Sequence, residues 1–247
     1  MTQKRGTGVF LTGTDTGVGK TTVTAALSIA LQQRGLNVGA MKPIETGLRA
    51  MPADGSDNER LHRTASPTSS SDTMKLYEFD PPIAPLAAAR LGKTIIDCSR
   101  IMAAYEITRQ QHDLTLVEGI GGVLTPLTQQ QDIRDLILAL HLPCLVVGRP
   151  TIGGINHARL TIEALHAHDI QISAIVFNQS LPNHHSSLED LQKRSTIDLM
   201  KELTDIPVFG PLSFNQHLPL NWMEGIRMIV SEPGIQKLAH LIMSKIA

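Results

Sequence analysis

The chain is 247 residues long, 42% hydrophobic, 18% charged and 3% aromatic, with a formal net charge of -1. That length accommodates one large domain or two small ones around a sizeable core. The near-neutral balance and scarce aromatics point away from a nucleic-acid partner, a single-strand stacking platform and an anionic membrane surface, while Cys98 and Cys144, far apart, form neither a metal knuckle nor a redox pair and read as reduced thiols of a cytoplasmic protein.

The opening MTQKRGTG leads straight into an apolar run at 9–11, so no secretory leader is expected, nor any membrane span further on. The run at 9–11 ends in Gly13 and reads as a strand; Val23, Ala26, Leu27, Ala30 and Leu31 then mark one face of a helix that Gly35 would close. A second strand at 38–41 runs into Lys42 and Pro43. The polar section that follows includes RTASPTSSSD, which reads as a surface loop, and PPIAPLAAARLG reads as a helix with Pro85 near its start. Further strands are expected at 114–117, 145–147, 172–177 and around Val208, and from Ile235 the spacing of Leu238, Ala239, Ile242 and Ile246 predicts a closing amphipathic helix. Short apolar runs alternating with helical periods predict an α/β fold: a mainly parallel sheet with helices on both faces, in one domain spanning 1–247.

The stretch VFLTGTDTGVGKTTVTAALSIALQQRG, residues 9–35, nearly spells the phosphate-loop pattern G-x-x-x-x-G-K-[ST], but Gly13 stands one residue too early and position 14 is Thr14. A loop between strand and helix offers free backbone N–H groups and a helix dipole to phosphate. Lys20 would reach the terminal phosphates and the Thr21 hydroxyl would ligate Mg2+; a glycine turn with a solvated lysine is the plain alternative. Lys42 ends the second strand, where the carboxyl edge of a parallel sheet lines the ligand crevice, and so should approach Lys20. Two ammonium groups about 4 Å apart repel by about 4 kcal/mol at an effective dielectric of about 20, which calls for an anion between them. On that reading, Lys42→Gln lowers turnover far more than folding stability.

Glu118, just past an apolar run and followed by Gly119, Gly121 and Gly122, suits a Mg2+ ligand at the same edge or a solvated strand-end carboxylate. Asp57 is either the N-cap of a following helix or a second metal carboxylate. Gly153 and Gly154 precede a helix beginning near Asn156, whose amides could hold a carboxylate or be ordinarily capped. His157 reads as packed or solvated, and His184 and His185 as surface residues.

In this order, GTDTGVGKT, KPIETG, Ser56-Asp57, VEGIGG, GGINHA and VFNQS resemble the dethiobiotin synthetase family over nearly the whole chain. The resemblance implies a phosphate-binding-loop NTPase fold in which the longer loop is the usual form. It also implies an ATP- and Mg2+-dependent cyclo-ligase of biotin biosynthesis. Such an enzyme closes 7,8-diaminononanoate (7,8-diaminopelargonate) with CO2 to give dethiobiotin, ADP and phosphate, through a carbamate and a carbamic-phosphoric anhydride. Carried over by position, Lys42, Lys20 and Thr16 are catalytic, and Thr16, Lys42 and Thr46 face the diamine or its carbamate. Gly153, Gly154, Ile155 and Asn156 match the turn that holds the substrate carboxylate across a homodimer interface. Thr21, Asp57 and Glu118 match the Mg2+ ligands. The implied ATP site comprises Gly17, Val18, Gly19, Lys20, Thr21, Thr22, Asp57, Glu118, Gly119, Ile120, Gly121, Asn178, Gln179, Leu212, Ser213 and Phe214, with Asn178 reading adenine. Gly17 stands where some relatives carry glutamate, and Thr46 where some carry serine.

Two other readings compete. A cobyrinic-acid-type ATP-dependent amide synthetase would usually carry a glutamine-hydrolysing domain, for which no length is left. A partitioning-type dimer-switch ATPase would place its signature lysine at Asp15, which has the opposite charge.

Overall fold

A computed structural model describes residues 7–50, 55–66, 75–182 and 187–246. In chain order the elements are β1 (Thr7–Gly13), α1 (Lys20–Gln32), β2 (Val38–Met41), β3 (Ile44–Thr46), α2 (Asp57–Thr64), β4 (Tyr77–Phe79), α3 (Pro85–Leu91), α4 (Cys98–Gln111) and β5 (Leu114–Gly122). There follow α5 (Ile133–Leu140), β6 (Cys144–Gly148), α6 (Gly154–His166), β7 (Ile172–Asn178), α7 (Ser187–Leu203), β8 (Val208–Leu212), α8 (Trp222–Val230) and α9 (Pro233–Ile246).

Six strands form one sheet in the order β2-β5-β1-β6-β7-β8, and each neighbouring pair is parallel. A parallel sheet needs helical crossovers, and these cover both faces. The pleat divides the strands between two cores: Val9 and Leu11 of β1 pack with α1, α8 and α9, whereas Phe10 packs with the face made by α3 to α7. Leu145 and Val147 alternate with Cys144 and Val146 in the same way. Burying a side chain such as Phe10 or Leu11 fully contributes about 1.5–3 kcal/mol. Because both faces are buried, the strands read as continuous apolar runs, and that is why the sequence locates them without telling which side each residue faces.

The predicted parallel sheet, the helix after the first loop and the helix at Pro85 are all present, and the closing helix starts at Pro233 rather than Ile235. Val23, Ala26, Leu27, Ala30 and Leu31 are fully buried on α1, and Gly35, at φ 91°, supplies the left-handed turn after the helix. Three expectations are corrected. The strand expected at 114–117 runs to Gly122, so Glu118 lies inside it. The polar section after Lys42 contains α2 and a small parallel pair, β3 with β4. RTASPTSSSD does not begin as a surface loop: Thr64 and Ser66 are buried, Ser28 Oγ donates to the Thr64 carbonyl at 2.9 Å, and the Val38 N–H donates to Ser66 Oγ at 2.9 Å. The rest of that stretch, from 67 on, lies outside the described residues.

Candidate active site

The carboxyl edge of the sheet gathers the loop after β1, Lys42 after β2, the far half of β5 and the end of β7, the position where open parallel sheets bind ligands. Gly19 is the N-cap of α1 at φ 94°, and a Cβ there would collide with Asn178 Nδ2. A Cβ at Gly13 would meet Lys20 Nζ at 2.9 Å and the Asp15 carbonyl at 2.8 Å, so the early glycine is the one that lets the lysine fold back over its own loop. Lys20 Nζ donates to the Asp15 carbonyl at 3.0 Å and the Gly121 carbonyl at 2.8 Å. Burial pulls its pKa down to about 8, against the opposing pull of Glu118. No side chain caps α1, and its first turn holds no acidic residue; the helix end is open to an anion.

Glu118 is fully buried and bonded on both oxygens. Thr21 Oγ1 donates to Oε1 at 2.7 Å, Thr24 Oγ1 to Oε2 at 2.9 Å, and Lys42 Nζ to Oε1 at 2.8 Å. Lys42 Nζ also pairs with Asp57 Oδ2. Burial favours the neutral lysine, but Glu118 and Asp57 outweigh it and hold the Lys42 pKa well above the usual lysine value. Burial likewise raises Asp57, and Lys42 more than reverses that, so its carboxyl lies below the ordinary range. Lys42 and Lys20 are thus close enough to affect one another, as the charge argument requires, yet the anions on Lys42 are the protein's own carboxylates.

Asp57 is not the N-cap of α2. Ser56 is, in a capping box: the Glu59 N–H donates to Ser56 Oγ at 3.1 Å and the Ser56 N–H to Glu59 Oε2 at 2.8 Å. Asp57 is the first residue of the helix, and its side chain is left for Lys42. Two carboxylates and the Thr21 hydroxyl form an all-oxygen donor set of the kind Mg2+ takes together with substrate phosphates. Among the described residues no cluster of three or more His, Cys, Asp or Glu side chains makes a complete cage.

Two cavities meet here. One, of about 460 Å³, is walled by Gly17, Gly19, Lys20, Thr21, Thr22, Lys42, Asp57, Glu118, Asn178, Gln179, Ser213 and Phe214. The other, of about 660 Å³, is walled mostly by apolar side chains, Ile83, Val123, Leu124, Leu160 and Ala164 among them, with Thr161 and His157. Thr16, Thr46, Ile120 and Gly121 line both.

Other expected residues are placed differently. Leu212 and Val18 are buried in the core beside α1, and Gly119 lies inside β5, where a Cβ would strike the Phe10 ring at 2.8 Å; none of the three lines the cleft. Asn178 Nδ2 donates to the Val18 carbonyl at 3.0 Å, tying β7 to the phosphate loop. Gly153, Ile155 and Asn156 line a neighbouring groove with Ile152 and Arg159 that shares only the Leu160 wall with the apolar cavity, and Gly154 is buried as the first residue of α6, so none of the four lines either cavity itself. His157 is exposed and lines the apolar cavity, while His184 and His185 lie outside the described residues.

Sequence reasoning passed over Glu45, Arg60 and Trp222. All three line the charged cleft, and the Arg60 guanidinium stacks 4.5 Å from the Trp222 ring centroid. Glu45 follows Lys42 within KPIETG, and Arg60 stands three residues after Asp57 on α2, its guanidinium 3.6 Å from Asp57 Oδ1; Trp222 belongs to no spacing pattern.

The AAA domain family matches residues 7–219 of the chain. The ATP-dependent dethiobiotin synthetase BioD of Thermodesulfovibrio yellowstonii is 38% identical over 218 residues, 84% of this chain and 88% of the relative. Proteins of the same name from Anaeromyxobacter dehalogenans and Methanococcus vannielii are 40% and 31% identical, over 73% and 80% of this chain and 80% and 93% of theirs. Among solved structures, the cell division ATPase MinD of Pyrococcus furiosus aligns with a TM-score of 0.57 at 18% identity, covering 98% of this chain and 100% of its own. The ParA family ATPase of Chlorobium tepidum aligns at 0.55 and 14%, covering 94% and 96%. At such identities the likeness is one of fold.

Proposed function

The chain belongs to the ATP-dependent dethiobiotin synthetase family, and from that premise we propose how its two cavities divide the reaction. It is an ATP-dependent ligase of biotin biosynthesis. The observation that supports the division is the shared wall: Thr16 and Thr46 line both the charged cleft and the apolar cavity. ATP enters the first, its phosphates on the open N-terminus of α1 and its adenine towards Asn178, Gln179, Ser213 and Phe214. The diamine lays its hydrocarbon chain in the second, with its amino end at the shared wall. Its carboxylate reaches Gly153 to Asn156 of a second copy, so the working form is a homodimer, each subunit one domain over 1–247.

One amine takes up CO2 and loses a proton to become a carbamate. A carbamate oxygen attacks the γ-phosphorus, the bond to ADP breaks, and the carbamic-phosphoric anhydride forms. The second amine then attacks the carbamoyl carbon, phosphate leaves, and the ring closes. Two anions must meet in the first transfer, and fixed positive charge is what lowers that barrier. Lys20 holds the phosphates, Lys42 faces the transferring group from the charged cleft, and the Thr16 and Thr46 hydroxyls at the shared wall orient the carbamate. Thr21, Asp57 and Glu118 would hold Mg2+, which when bound neutralises phosphate charge. Lys42 then exchanges its protein carboxylates for substrate oxygens. Among the described residues no helix is long and apolar enough to cross a membrane, and we assign the enzyme to the cytoplasm.

The test supplies the diamine, bicarbonate, Mg2+ and ATP and follows phosphate and dethiobiotin together. Equal yields that both require the diamine are expected; phosphate release indifferent to it would overturn the reading and favour a switch ATPase.

A further inference from the structure

We propose that Glu45 is a positioning residue for Asp57: one buried carboxylate from β3 ties down the first turn of α2 and so fixes where the Asp57 carboxylate stands in the charged cleft. Glu45 is 2% exposed. Its Oε1 accepts the Asp57 N–H at 2.7 Å, and its Oε2 accepts the Asn58 N–H at 3.2 Å and Asn58 Nδ2 at 2.8 Å. Glu45 thus holds both Asn58 and Asp57, the residue whose side chain pairs with Lys42.

The capping box of Ser56 and Glu59 leaves the Asp57 and Asn58 N–H groups of the first turn without an acceptor. Glu45, from a different element, supplies both. Glu45 adds a third carboxylate near Asp57 and Glu118 in the same cleft, a like-charge cost that its bonds to the first-turn amides offset. What it adds is a link between two parts of the site. Lys42 and Glu45 lie three residues apart on the same segment, with Ile44 between them buried at 2% exposure and paired in β3. Through Glu45 the backbone that presents Lys42 also sets the backbone that presents Asp57.

This inference rests on the reading of Asp57 as a Mg2+ ligand, and a double-mutant cycle separates the two. Mn2+ binding to the enzyme–ADP complex is measured by electron paramagnetic resonance for the wild type, Glu45→Ala, Asp57→Asn and the double variant, with ADP binding in chelator as the metal-free reference. Loss of an outer partner of a metal ligand weakens metal binding by about 10- to 100-fold. Glu45→Ala is expected to weaken Mn2+ at least tenfold while metal-free ADP binding stays within about twofold, and to add nothing further in the Asp57→Asn background. Glu45→Gln keeps one acceptor, enough for the Asp57 N–H but not for Asn58 as well, and should recover part of the loss. If Asp57→Asn leaves Mn2+ binding unchanged, the metal-ligand reading falls and the inference with it. If Asp57→Asn weakens Mn2+ but Glu45→Ala does not, or the two effects add in full, Asp57 stands and the inference is overturned. Should Glu45→Ala fail to fold, Glu45→Asp, which withdraws the acceptor by one methylene, is measured instead; wild-type Mn2+ binding in it would also overturn the inference.

Discussion

Of the two cavities that meet at Thr16 and Thr46, the smaller crowds Lys20, Lys42, Asp57 and Glu118 against the ends of β1, β2 and β5, while the larger is walled by leucines, valines and prolines from several loops and α6. In the charged cleft Lys42, Asp57 and Glu118 are tied to one another, and Lys20 to the backbone at Asp15 and Gly121, so a change at one residue reaches its neighbours and the fold. In the apolar cavity the side chains act through shape and area, and a change there should stay local. Buried charge couples binding, catalysis and stability; apolar lining sets affinity for one ligand.

The largest effect that would sharpen this contrast is Lys42→Gln. Turnover should fall by about a thousandfold, the scale of losing a fixed charge at a transferring phosphoryl group. The sequence reading has turnover fall far more than folding stability; the structure adds an expected loss of stability of comparable size. Removing Lys42 leaves Glu118 and Asp57 without their ammonium, and breaking a buried pair costs about 3–5 kcal/mol. Thermal melts should show a clear loss for the variant, partly restored by Mg2+ with ADP, which supplies positive charge between the same carboxylates. An unchanged melting temperature would mean that the cleft tolerates unpaired carboxylates.

Next in size is Asn178→Ala. It removes both the bond to the Val18 carbonyl and the group assigned to adenine, so the KM for ATP should rise by tens of fold and the preference for ATP over GTP should shrink. If KM rises but the preference stays, Asn178 shapes the loop without reading the base. On the apolar side, Ala164→Leu narrows the larger cavity. It should raise the KM for the diamine about tenfold, about 1.4 kcal/mol, with the KM for ATP and the melting temperature unchanged. A parallel rise in the KM for ATP would break the comparison, since the two cavities would then be one site.

The same contrast governs what could be read in advance. Phosphate chemistry needs backbone amides, a lysine and a hydroxyl at set spacing, so Lys20 and Thr21 are spelled in the chain, and parallel-sheet topology brings Lys42 and Glu118 to them. Glu118 was misjudged only in being taken as the strand's end, because GIGG reads as loop while β5 runs to Gly122. Glu45 stands within KPIETG, but its partners lie 12 and 13 residues on, at a separation no local pattern dictates. The apolar cavity was illegible as a site. Leu124, Pro126, Leu160 and Ala164 are ordinary core-type residues, and only the packing of α6 against the edge of the sheet leaves space between them. Gly153, Ile155 and Asn156 face a neighbouring groove across Leu160, and nothing in their spacing tells what it holds.

The smallest expected effect is one of pH, and it sets Lys20 against the neutral lining next door. Burial holds the Lys20 ammonium at about 8 in place of 10.5. Between these values an unfolded chain keeps the proton and the folded one does not, so this group makes stability rise with pH across that window. ADP binding runs the other way. The phosphates favour the charged lysine, so affinity is full below about pH 8 and lost as pH climbs through it. Calorimetry of ADP in chelator should show affinity falling about fourfold between pH 7 and pH 8.5, the change expected for one group of that pKa. Lys20→Arg, charged throughout, should flatten the profile even if it binds more weakly at pH 7. Inhibition by an uncharged analogue of the diamine's hydrocarbon chain should not vary over the same range, because the walls it meets are mostly apolar. A flat ADP profile in the wild type would mean that the Asp15 and Gly121 carbonyls and the nearby carboxylates keep the ammonium charged despite its burial.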